Sequence, residues 1–64
     1  MITDTVVRAI DSEIADLQRI IDADEAILQH EKLQEKRNPL ISEIDQLQVR
    51  IAKIRRRREH FLFG

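Results

Sequence analysis

The sequence predicts an all-α fold, an antiparallel helical hairpin of coiled-coil-like pattern that is expected to dimerise into a four-helix bundle. Three observations predict it. Apolar residues recur at three- and four-residue steps along most of the chain, the period of a helix with one buried face. The only proline follows Asn38, and the apolar pattern changes register there. Charge is also divided along the chain: residues 1–37 hold nine acids and five bases, residues 38–64 three acids and six bases. An acidic helix laid against a basic one favours antiparallel pairing over the alternatives.

Composition agrees with this class. Charged residues make up 36%, aromatic residues 3%, and glycine and proline occur once each, the profile of long helices. A chain of 64 residues has little material for a core and forms one domain at most. Cysteine is absent, so neither a disulfide nor a thiolate metal site adds stability. No apolar run approaches the ~20 residues of a membrane span, and the first residues carry acids where a secretion signal carries bases. The expectation is a cytoplasmic protein with no membrane association.

The first helix is expected over about residues 3–36. Thr3 suits its N-cap and Asp4 its first turn. Val7, Ile10, Ile14, Leu17, Ile21 and Leu28 form its stripe, and Val6, Ile20 and Ile27 widen it on one side. The apolar face then covers roughly 160°, more than a single partner helix needs. Lys36 and Arg37 suit its last turn, where cations meet the negative end of the helix dipole.

The turn is expected at about 37–39. Asparagine favours the N-cap and proline the first helical position, so the second helix should run over about 39–62. Leu40, Ile44, Leu47, Ile51, Ile54 and Phe61 keep alternating four- and three-residue steps, with Arg58 in the slot between the last two. Extending the first frame by sevens from Leu28 lands on Glu35 and Ser42, both polar. The two stripes therefore do not form one continuous seam, which favours a hairpin over a kinked rod.

A hairpin folded near residue 38 sets opposite each other residues whose numbers sum to roughly 76. On that geometry Arg55–Arg58 lie against Leu17–Ile21, near Asp16, Asp22, Asp24 and Glu25, and the first turns of helix 1 overhang. The overhang carries Ile2, Val6, Val7 and Ile10, and the chain ends in Phe61, Leu62 and Phe63 at the same end. Together these seven residues form the candidate protein-interaction patch. Asp24 interrupts the first stripe, either as a partly exposed acid reaching Arg50 or Lys53 or as a buried group that sets register.

Chemistry-bearing patterns are missing. His30 and His60 lack a second ligand at helical spacing, Ser12 and Ser42 lack a histidine at a useful offset, and there is no glycine-rich loop. No catalytic, cofactor-binding or metal residues are expected, and no enzyme activity. Arg55, Arg56, Arg57 and Arg58 are the candidate nucleic-acid contacts. Against that use, successive helical residues point about 100° apart, the neighbouring helix is acidic, and the isoelectric point is near 6.1.

The expected function is thus that of a small non-enzymatic interaction module, an adaptor or inhibitor of the kind bacteria and phages encode in short reading frames. It would form a homodimer and dock on a larger protein partner through the open-end patch. The alternatives are a dimeric nucleic-acid-binding regulator and a purely structural oligomerisation unit. In size and pattern the chain resembles small helical-hairpin dimers such as the plasmid copy-number regulators. That resemblance implies an architecture and transfers no residues.

Overall fold

A computed structural model describes the backbone of residues 2–63 and the side chains of residues 4–62. Two helices fill it: α1 spans Ile2–His30 and α2 spans Gln34–Phe63. They pack along their length as an antiparallel hairpin, joined by Glu31, Lys32 and Leu33.

The turn lies earlier than the proline predicts. Pro39 sits inside α2, in its second turn, and Asn38 is helical although it precedes a proline. Proline has no N–H to give to the carbonyl four residues back, so α2 forgoes one backbone bond there. Hydrogen bonds nearer the true start replace the local preference. The Leu33 carbonyl accepts from the Lys36 and Arg37 N–H groups, both at 3.0 Å, which opens the helix. Asn38 caps nothing; its Oδ1 accepts from Gln34 Nε2 at 2.6 Å within the first turn. Glu31 Oε1 accepts the Leu33 N–H at 3.1 Å and fixes the connection.

Arg37 closes the corner. Its Nη1 donates to the carbonyls of Leu28 and Glu31, each at 2.8 Å. These belong to the last turn of α1 and the residue after it, where carbonyls lack partners within the helix. The expected attraction between Arg37 and the negative end of the first helix is present, but Arg37 exerts it from the second helix.

An earlier turn changes the register. The helices have 29 and 30 residues, so their far ends come level and the expected overhang of α1 does not exist. Two ion pairs mark the alignment: Arg58 Nε to Asp11 Oδ1 at 2.7 Å and Arg50 Nη2 to Glu13 Oε1 at 3.8 Å. Arg58 therefore meets Asp11 rather than the Leu17–Ile21 stretch.

The predicted stripes do supply the core. Ile10, Leu17 and Ile21 of α1 and Ile51 and Ile54 of α2 are buried, with Val6, Ile14, Ile44 and Leu47 packed against them. Ile21 is 1% exposed and is the most enclosed. Burying such a side chain contributes roughly 1.5–3 kcal/mol, so this seam is the main source of cohesion. Ile20 and Ile27, which widen the stripe in the sequence, remain about half exposed.

Candidate functional site

The open end of the hairpin holds the residues singled out in the sequence, and the structure divides them. Ile10 is buried in the seam, and Val6 packs partly against it. Val7 is also half-buried. By contrast Phe61 is 49% exposed and Leu62 42% exposed. The side chains of Ile2 and Phe63 lie outside the described residues. Among the described residues, the exposed apolar surface at this end therefore lies on the last turn of α2, while Ile10 and Val6 serve the hairpin's own core.

Phe61 lies seven residues after Ile54, and Leu62 four residues after Arg58, so both continue the seam direction beyond its buried part. The seam's buried part ends at Ile54 in α2 and at Ile10 in α1. Past that level Phe61 and Leu62 are about half exposed.

Arginines surround this end in two states. Arg58 is half-buried and held by Asp11. Arg55, Arg56 and Arg57 are exposed. The ion pairs formed among the described residues are those of Arg19, Arg50 and Arg58, so these three guanidinium groups have no carboxylate at ion-pair distance. They point in successive directions around α2 rather than onto one plane.

Asp24 is 8% exposed, and its Oδ2 is buried without a hydrogen-bond partner. The reading of a partly exposed acid does not hold. Nor does it reach Arg50, whose partner is Glu13. A buried polar atom left unpaired costs stability, and Asp24 stands where the two helices would otherwise bury a plain apolar residue.

Two features escaped the sequence. One is the Arg37 clasp: the sequence shows a cation close to a helix end, and the structure places it on the second helix instead of the first. The other is a hollow of 390 Å³ beside that clasp, lined by Glu25, Leu28, Gln29 and Arg37. It sits at the turn, remote from Phe61, and follows from the corner geometry. Among the described residues no group of three or more His, Cys, Asp or Glu side chains is arranged to hold a metal ion. His30 and His60 are exposed. No described helix is long and apolar enough to cross a membrane.

The fold and its surface define a class, the two-helix antiparallel hairpin. No protein family, curated protein or solved structure matches the chain.

Proposed function

We propose that this chain is a small, non-enzymatic protein-interaction module that works in the cytoplasm as a dimer. It acts as an adaptor or inhibitor by covering part of a larger protein. The observation that supports the reading is the half-exposed pair Phe61 and Leu62 at the end of α2, directly after four arginines. Aromatic and arginine side chains dominate binding hot spots because they bury large areas while keeping a charged or polarisable contact. The contact surface is smaller than the sequence implies, since Ile10 belongs to the seam.

Affinity capture from the native host with the full chain as bait tests this. The wild type should retain a specific protein that Phe61→Ala/Leu62→Ala loses, while the helical circular dichroism of the variant stays unchanged. Equal retention by both chains would remove the open end from the proposal.

A second reading, nucleic-acid binding, is favoured by the three exposed arginines, which have no acidic partner among the described residues. Phosphate contacts of that kind give strongly salt-dependent binding. A gel shift with DNA and RNA at two salt concentrations decides it, and no shift at the lower salt eliminates it. The third reading, a purely structural oligomerisation unit, remains if neither assay gives a partner.

A further inference from the structure

The hairpin is one helix thick. Its Cα extents are 49 × 16 × 11 Å and its radius of gyration is 14.9 Å, against about 10.7 Å for a compact chain of this length. Stable domains stack at least two layers around a core, and this one supplies a single layer. Its accessible surface is 5242 Å², roughly 900 Å² more than the ~4,300 Å² of a compact protein of this mass. That surplus is close to the ~800 Å² each partner buries in a standard interface.

Part of the uncovered surface has a distinctive composition. On α1, Ile20, Asp24 and Ile27 are four and three residues apart, so they line up along one side of the seam. Ile20 is 42% exposed and Ile27 53% exposed, while Asp24 between them carries the unpartnered Oδ2. Two half-exposed isoleucines one heptad apart, with Asp24 buried between them, leave an apolar flank that a further helix would complete.

Charge selects that helix. Within Ile2–His30 there are seven acids and two bases, and within Gln34–Phe63 four acids and eight bases. A second α1 laid on this flank would bring like charges together, whereas a second α2 would bring opposite ones. With a twofold axis along the bundle, each α1 touches the partner's α2, and every neighbouring pair is antiparallel. The net charge of −1 leaves little bulk repulsion between copies.

We propose that a second copy of this chain covers the Ile20–Asp24–Ile27 flank, seating its α2 there and forming a twofold four-helix bundle. This rests on the interaction-module reading and names the first partner as the chain itself.

Sedimentation equilibrium of the full chain tests it. The wild type should sediment at twice 7.6 kDa, and Ile20→Lys/Ile27→Lys should weaken self-association on the order of a hundredfold. Both substituted residues are about half exposed, so the seam is untouched. Val49→Lys, on the side of α2 turned away from the seam, should remain dimeric. A folded wild type at single-chain mass overturns the proposal, as does dissociation by Val49→Lys but not by the double variant. Should the double variant unfold, the wild type decides: its thermal midpoint must rise with protein concentration if folding and dimerisation are linked, and a constant midpoint overturns the proposal. Open-end docking is judged separately by the capture experiment, so one can fail without the other.

Discussion

The two ends of the hairpin are held by different chemistry. At the turn, Arg37 is half-buried and places two short hydrogen bonds on carbonyls that α1 itself cannot satisfy. At the open end, Arg58 meets Asp11 at 2.7 Å, but both side chains are more than a third exposed. Beyond that pair Phe61 and Leu62 stand half in water. A hydrogen bond from a charged group to a partly enclosed backbone carbonyl is worth more than an ion pair in solvent. The same residue type therefore locks one end and only tethers the other. The locked end fixes register, and the tethered end leaves Phe61 and Leu62 about half exposed.

Both ends depend on the seam between them, and the largest expected effect tests this. Ile21→Ala removes the most enclosed side chain and should cost about 2–5 kcal/mol. A core this small supplies about 3–5 kcal/mol in all. Thermal circular dichroism should show the cooperative transition lost or displaced far downward. If the variant instead kept a normal transition, the clasp at the turn would be carrying the fold, and the two ends would differ still more.

Next comes the clasp. Arg37→Ala removes both carbonyl bonds and should destabilise by about 2–3 kcal/mol, below the sum of two charged bonds because water reaches part of the freed surface. Arg37→Lys should recover only a fraction, since one ammonium on a flexible stem replaces a planar fork. Chemical denaturation of the three chains at one protein concentration checks the order wild type, Lys, Ala.

Asp24 sits between the two ends and should respond in the opposite direction. Asp24→Leu exchanges an unpartnered buried carboxylate for an apolar side chain and should raise stability by roughly 1–3 kcal/mol. Sedimentation of the same variant should show an unchanged mass. A new mass would mean that Asp24 sets the register of assembly rather than only weakening it.

How much of this was legible in the sequence depends on which residues carry the signal. The seam was legible because helical periodicity acts at every turn: Ile10, Leu17, Ile21, Ile51 and Ile54 all lie on the predicted stripes and are all buried. The corner was not legible to the same degree. Asn38 and Pro39 are strong local punctuation, yet a proline in an early helical turn forgoes only one backbone bond. The capping arrangement around Glu31, Leu33 and Arg37 is made of contacts three to nine residues apart, which spacing alone does not reveal. Misplacing the corner by about six residues shifted every cross-helix pairing. That shift produced the overhang that is absent and assigned Ile10 to an open patch instead of the core. Asp24 stands out in the sequence because it breaks a stripe, but its burial depends on register, and register is set at the corner.

The smallest expected effect tests the tethered end directly. Arg58→Ala breaks the pair with Asp11 and should cost less than about 1 kcal/mol, because solvent and mobile ions already screen both partners. The loss should shrink further in high salt, whereas the cost of Arg37→Ala should fall less, since its half-buried hydrogen bonds to carbonyls are screened less than an exposed ion pair. Comparing the two variants at low and high ionic strength isolates this difference from their unequal size. A salt-independent cost at Arg58 would mean that its aliphatic stem packs across the seam, where it occupies the heptad slot after Ile54. The open end would then be held by apolar contact, and the loose tether would reduce to the last turn of α2 alone.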